Sequence, residues 1–474
     1  MPPAFMRRLS LPIIPCALVI TGCTAFKPWG QSRLEGDVSK VQQGAPKAWN
    51  ALPKVSSDAA TGWLSDFSGA NLQPLVQQAI AQNHDLRGAA ARVTQARAQA
   101  RIAGADLWPQ LGADFGARRS QSASGQRFVG LGQRSNRFTL GADISWELDF
   151  WGRVADQRGA AVADAQAAED DLHAAKLSLA ANTVKAAITL AEAEALAAQA
   201  EENVKTRRVH LGIVEKQLDR GLDGEKTALD VSLSRADLAR AESSLALCER
   251  TVDAARRSLE VLLGDYPAGK EGGARTLPSI SRSVPGGLPS EMLLRRPDLR
   301  AAERRLASSL HDESAAKKAF LPSLNITGSA GFSTEDLVFL LDKDSLIWSI
   351  AGGVAQRLFE GGRIKANIEL AKGRYEEALA TYAGSVLTAF REVETAIAAE
   401  AFFVEQEHAL DQAVTEAERS VKLAAGQYDR GLADILTLLD AQQRAFDARS
   451  SLLGAKAQRL RNRADLHLAL GGEF

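Results

Sequence analysis

The chain has 474 residues, with 57 basic against 58 acidic side chains, a balance that leaves no electrostatic footprint for binding polyanions. Alanine, the strongest helix former, supplies 83 residues and aromatic side chains only 6%; the glycine, cysteine and hydrophobic fractions exclude collagen-like, disulfide-rich and wholly disordered chains. All 15 prolines lie between Pro2 and Pro109, between Pro267 and Pro297, or at Pro322. Residues 110–266 and 323–474 are therefore open to very long helices, because nothing in them removes a backbone donor or forces a kink.

Arg7 and Arg8, the apolar run from Leu9 to Ile20, and the small residues Thr21 and Gly22 lay out a secretory signal peptide over residues 1–22. Ile20 to Cys23 resembles the bacterial lipobox, in which the cysteine thiol is diacylated before cleavage and its freed amine is acylated afterwards. The plainer alternative is an ordinary secreted protein in which Cys23 is incidental. Two or more acyl chains anchor stably, at about 0.8 kcal/mol per buried methylene, so Cys23 is the expected lipidation site of an N-terminal segment covering 23–70. Thr24 stands where inner-membrane lipoproteins of the best-known Gram-negative bacteria resemble one another in carrying Asp, which favours the outer membrane. Cleavage leaves 55 basic against 58 acidic side chains, with Cys23 and Cys248. A lipidated and a lone cysteine make no internal disulfide, and Cys248, beside Leu245 and Leu247, reads as a small apolar packing residue. No apolar run of 18 residues follows the signal, so no transmembrane helix is expected.

The sequence then repeats itself. Asp85, Leu86 and Arg87 recur as Asp298, Leu299 and Arg300, and at the same offset Arg92 matches Arg305 and Pro109 matches Pro322. Three residues' difference in offset later, Leu148 matches Leu358, Gly152 and Arg153 match Gly362 and Arg363, and Asp230 matches Asp440. The first repeat covers 71–264 and the second 297–474, with a linker over 265–296.

Each repeat opens with a helix, here from about Asp85 to Leu107, that stops ahead of Pro109. The period then changes from 3.6 to 2. Leu111, Ala113, Phe115 and Ala117 alternate with small or polar residues, as do Phe138, Leu140, Ala142, Ile144 and Trp146; strands are expected at about 110–118 and 137–147. The second repeat places strands at about 323–332 and 346–357. Four strands of this length suit tilted barrel strands crossing a bilayer, and a soluble sheet fits the alternation equally; the lipobox and the aromatic Phe150, Trp151 and Phe359 at the strand ends favour the membrane. Long helical hairpins follow, over about 152–263 with a tip near 221 and over about 362–470 with a tip near 431. Gly221 and Gly431 supply the turns. Alanines such as Ala160, Ala163, Ala167 and Ala174 recur at spacings that allow close helix packing.

An open strand edge in lipid is costly, and four strands do not close a barrel. Two copies give eight strands, an interior filled by side chains, whereas three give a 12-stranded pore. The fold class is therefore mostly α with a transmembrane β-barrel contribution: a tandem repeat of helix, strand, strand and long helical hairpin, assembled as a trimeric α-barrel plus a 12-stranded β-barrel.

Gly287, Leu288, Pro289, Ser290, Glu291, Met292, Leu293, Leu294, Arg295, Arg296, Pro297 and Asp298 resemble the linker signature of the TolC-like outer-membrane efflux lipoproteins, the NodT/OprM type. Trp146, Glu147, Leu148 and Asp149 with Gly152 and Arg153 resemble that family's strand-to-helix junction, and Leu470, Gly471 and Gly472 its carboxyl end. The resemblance implies a homotrimeric exit duct in the bacterial outer membrane with its helical part in the periplasm. It also implies docking to a periplasmic membrane-fusion adaptor and an inner-membrane transporter of the resistance-nodulation-division class. The hairpin tips Arg220, Gly221, Leu222 and Arg430, Gly431, Leu432 would meet the adaptor, or serve only as turns. Asp440 corresponds to a periplasmic gate aspartate, with Leu436 as an apolar constriction; the alternative is a solvated Asp on a helix face. Where relatives often carry Arg three residues after this Asp, Gln443 stands with Arg444 beside it, which puts the ionic lock of the gate in doubt.

No catalytic, metal or nucleic-acid site is expected. His84, His173, His210, His311, His408 and His467 are scattered, without a metal-binding pair, nucleophile elbow or phosphate loop, and no basic patch with interleaved aromatics occurs. Apart from covalent lipid at Cys23, no cofactor is implied. Two other functions stay open: the outlet of a type I protein secretion system, and a lipid-anchored periplasmic coiled-coil scaffold.

Overall fold

The computed structural model describes residues 28–46, 48–51, 62–69, 71–122, 133–219, 224–272, 276–280, 282, 284 and 289–472. Cys23 and the tripeptide Arg220, Gly221 and Leu222 lie outside them. In chain order the elements are α1 (Gln31–Gln43), β1 (Phe67–Ser68), α2 (Leu72–Gln82), α3 (His84–Ala105), β2 (Gln110–Ser122), β3 (Gln133–Leu148), α4 (Arg153–Asp219) and α5 (Gly224–Leu263). They continue with β4 (Ser279–Ile280), α6 (Pro289–Arg295), α7 (Pro297–Lys318), β5 (Ser323–Thr334), β6 (Leu346–Ala355), α8 (Arg363–Asp429) and α9 (Ile435–Ala469). Helices α4 and α8 have 67 residues each, about 100 Å at 1.5 Å per residue.

Local chemistry explains where these elements begin and end. Helices α3 and α7 stop ahead of Pro109 and Pro322, since the residue before a proline is pushed out of helical geometry. Asn83 Oδ1 accepts the backbone N–H groups of Asp85 at 3.0 Å and Leu86 at 3.1 Å, capping α3. Past α8, Gly431 takes φ 70°, and the N–H of Leu432 donates to Gln427 O while that of Gly431 donates to Tyr428 O, both at 2.9 Å. This is a Schellman stop. Asp434 then caps α9 by accepting from the N–H and the hydroxyl of Thr437.

The chain divides into two compact units. The first holds Ala100–Ala160, Ser308–Arg374 and the residues up to Leu34. Its centre is a four-stranded antiparallel sheet in the order β2-β3-β5-β6, with Leu111 opposite Ile144, Leu140 opposite Phe332, and Ala330 opposite Trp348. Strands β2 and β3 run longer than the alternation suggests, because the ladder continues to Ser122 opposite Gln133 after the side chains turn uniformly polar. Strand β6 ends at Ala355, two residues short of its expected end.

The second unit comprises Glu35–Gln99, Ala161–Ala307 and Tyr375–Phe474. Ala180, Ala181 and Val184 of α4 and Ala457, Leu460 and Ala464 of α9 are buried in one cluster with Trp63, Phe67 and Val76. Leu190 and Ala193 of α4 pack with Leu259 and Leu263 of α5. Small side chains let these helices approach closely, so burial of many short apolar groups adds to that of the larger core residues. Arg208 to Glu242 and Arg235 to Glu215, each at 2.8 Å, join α4 to α5, as Arg459 to Glu400 at 2.9 Å joins α8 to α9.

Candidate functional site

Strand register sorts the sheet into two chemically different faces. One carries Leu111, Ala113, Phe115 and Ala117 of β2 and Phe138, Leu140, Ala142, Ile144 and Trp146 of β3. It continues with Leu324, Ile326, Gly328, Ala330 and Phe332 of β5, then Leu346, Trp348, Ile350, Gly352 and Val354 of β6. No polar side chain interrupts this area apart from the indole N–H of Trp146, which donates to Leu107 O at 3.0 Å, and of Trp348. Leu111, Trp348, Ile350 and Val354 are each more than 70% exposed, so none of the described residues covers this face. The opposite face carries Asp114, Arg118, Arg137, Thr139, Asp143, Asn325, Thr327, Ser329 and Ser349. Strands β2 and β6 are the two ends of the sheet, each paired on one side only.

The strand-to-helix junctions come next. Gly152 takes φ 73°, which lets the chain turn so that Asp149 accepts the N–H groups of Val154 at 3.0 Å and Ala155 at 2.7 Å, satisfying two free donors at the start of α4. Arg153 donates to Glu147 at 2.7 Å, and the Trp151 indole N–H donates to Pro322 O at 2.8 Å. One turn into α4, the buried Asp156 accepts from Lys318 Nζ at 2.6 Å and Ser314 Oγ at 2.5 Å and meets His311 Nδ1 at 3.2 Å. Burial alone would raise the Asp156 carboxyl, but hydrogen bonds from His311, Lys318 and Ser314 and the Lys318 charge together hold it below its ordinary value. Lys318 also donates to Gly152 O and lies 5.5 Å above the ring of Trp29, whose backbone N–H donates to Ser314 Oγ at 2.9 Å. The corresponding second junction has Gly361 and Gly362 at positive φ, and Arg363 pairs with Glu360 at 2.8 Å on an exposed surface. Asp156 and Lys318 are missed by sequence reasoning. The one available signal is that their repeat counterparts, Ala366 and Ala105, carry no charge.

At the hairpin end, Arg430, Gly431 and Leu432 occupy an exposed turn. Leu436 is exposed, and Asp440 accepts from Arg444 Nε at 2.8 Å within the same helix. Gln443 accepts from Arg207 at 3.3 Å and donates to Asp447 at 2.9 Å; Arg207 also forms an ion pair with Asp237. Asp230, the repeat counterpart of Asp440, is buried instead. Close to it the rings of His210 and Tyr428 are 5.6 Å apart. Burial pushes the His210 imidazole below its ordinary pKa, with Arg207 acting in the same direction and Asp429 and Asp230 opposing it.

Among the described residues, no His, Cys, Asp and Glu side chains converge as a metal set, and no helix is long and apolar enough to cross a membrane. An amphipathic antiparallel sheet with an uncovered apolar face, leading into helices of 67 residues, defines a channel-forming chain of the outer membrane. The family model described as outer membrane efflux protein matches residues 75–265 and 288–472, and the chain belongs to that family. Outer membrane protein OprJ of Pseudomonas aeruginosa is 33% identical, with 86% of each chain covered. Cation efflux system protein CusC of Escherichia coli is 29% identical over 96% of this chain and 97% of its own. The solved structure of the outer-membrane channel OprN superposes with a TM-score of 0.83 at 29% identity, covering 90% of this chain and 97% of that one.

Proposed function

We propose that three copies of this chain close a 12-stranded barrel in the outer membrane and a helical tube in the periplasm, forming the passive exit duct of a tripartite efflux system. The sheet carries this reading. Among the described residues its apolar face is uncovered and its two outer edges lack a second neighbour, and in lipid each unpaired backbone group costs several kcal/mol. Closure by further copies satisfies both features, and three is the smallest number that leaves a lumen.

Acylation at Cys23 would anchor each copy. The turns Arg220–Leu222 and Arg430–Leu432 would meet a periplasmic membrane-fusion adaptor, and an inner-membrane transporter of the resistance-nodulation-division class would supply the energy. Asp440 and Leu436 would face the periplasmic gate, with Asp440 bonded to Arg444 one turn along its own helix. Detergent-resistant trimers from outer-membrane fractions that conduct in planar bilayers support this reading; a monomer that needs no detergent contradicts it. Deleting the gene separates efflux from protein secretion: raised sensitivity to drugs or metals supports efflux, whereas unchanged sensitivity with loss of a secreted protein favours the secretion outlet.

A further inference from the structure

We propose that the polar face of the sheet carries two charge belts of opposite sign, Asp114 with Asp143 and Arg118 with Arg137, which set the charge selectivity of the duct along its barrel section. This rests on the trimeric duct described above, in which the apolar face meets lipid and the polar face lines the lumen.

The belts follow from register. Asp114 lies opposite Gly141 and Asp143 opposite Gly112, so the two carboxylates are diagonal neighbours two residues apart along the strands, and Arg118 lies directly opposite Arg137. Like charges directly opposite one another are normally unfavourable in a sheet, and among the described residues none of these four forms an ion pair. The same face of β5 and β6 is neutral, with Asn325, Thr327, Ser329, Ser349, Ala351 and Gly353. Glu147, the remaining acid on this face of β3, is paired with Arg153. Nothing across the sheet therefore cancels either belt.

Their separation keeps them distinct. Four residues along a strand span about 13 Å, longer than the Debye length of about 8 Å at physiological ionic strength. Each belt therefore acts on a passing ion largely by itself. The acidic belt lies towards the helix-joined ends of β2 and β3, and the basic belt towards the loop between them. Repeated by threefold symmetry, each belt becomes a ring of one sign on a low-dielectric wall, an arrangement that concentrates counter-ions.

The wall is also shaped to hold the carboxylates. A Cβ added to Gly112 would lie 2.7 Å from Asp143 Oδ1, and one added to Gly141 would lie 3.3 Å from Asp114 Oδ1. Each carboxylate thus rests across a glycine of the neighbouring strand, along the wall and out of the permeation path. A cation moving outward meets the acidic ring first, and an anion meets its favourable site only at the outer ring. The permeant class that gains at both is zwitterionic or mixed in charge.

The test is the ratio of cation to anion permeability, read from the reversal potential of the full lipidated trimer in planar bilayers under a KCl gradient. All channels carry Asp440→Asn/Arg444→Gln, so that the ion pair at the hairpin end adds no fixed charge of its own. The isosteric double variant Asp114→Asn/Asp143→Asn should lower the ratio severalfold, and Arg118→Gln/Arg137→Gln should raise it, with both shifts shrinking in concentrated salt. Gly112→Ala should reduce conductance by moving the Asp143 carboxylate off the wall. Conducting trimers whose ratio is unchanged in both double variants, or shifts in the same direction in both, overturn the belts and leave the duct standing. Absence of conductance in the trimer with the sheet unsubstituted overturns the duct and the belts with it.

Discussion

The two strand-to-helix junctions share a Gly-Arg turn and differ in almost everything around it. At the first, Gly152 and Arg153 sit beside a capping Asp149 and above the buried Asp156–Lys318 pair, on which Trp29 is docked. At the second, Phe359 occupies the position of Asp149 and Ala366 that of Asp156, and the exposed Arg363 pairs with a half-buried Glu360. The shared residues supply the positive φ and the helix start. What the first junction adds is a fixed seat for the N-terminal segment, which follows closely on Cys23 and would carry its lipid. The duplication therefore kept the turn and gave the Trp29 contact to one copy.

The largest expected effect tests that asymmetry. Asp156→Ala breaks the buried ion pair by removing the carboxylate that Lys318 meets and should lower unfolding stability by about 3–5 kcal/mol, measured by chemical denaturation in detergent. Asp156→Leu/Lys318→Met should recover most of the loss, since an apolar pair of similar volume replaces the ions; a double variant no more stable than Asp156→Ala would show that the pair is not the seat. Acid should expose the same pair. Because the Asp156 carboxyl is held below its ordinary value in the folded state, its contribution is complete above about pH 4 and is lost as pH falls further, through the folded-state value. The apolar double variant should therefore lose less stability than the unsubstituted protein between neutral pH and pH 3. A smaller effect is expected from Asp149→Ala, which removes the cap of α4 and should cost about 1 kcal/mol in the same assay. Arg363→Ala, which removes an exposed ion pair, should cost no more than about 1 kcal/mol. If Arg363→Ala proved as damaging as Asp156→Ala, the contrast between the junctions would fail.

Much of this architecture is legible in the sequence, and what is not has a physical reason. The recurrence of Asp85 as Asp298 and of Gly152 as Gly362 exposes the duplication, and Pro109 and Pro322 mark where each strand pair begins. Alternation finds the apolar part of each strand but not the polar extensions through Ser122 and from Gln133, where the backbone ladder continues without a side-chain pattern. Asp440 pairs with Arg444 because i to i+4 is a contact distance on a helix, a spacing legible in the sequence. The Asp156–Lys318 pair is invisible in the sequence, since the two residues are separated by 162 positions in an alanine-rich chain and only packing brings them together. The belts need the register as well: parity places Asp114 and Asp143 on the polar face, but only pairing sets each across a glycine.

In the proposed trimer β2 of one copy pairs with β6 of the next. Within one chain these strands are three spacings apart in the sheet, about 14 Å, too far for a disulfide, which needs Cα atoms within about 7 Å. In a Cys248→Ala background, one cysteine in β2 and one in β6, stepped through neighbouring registers, should at the matching register cross-link the outer-membrane protein into covalent dimers and trimers and nothing larger. Monomers alone at every register, or open ladders beyond three, would contradict the closed three-chain barrel.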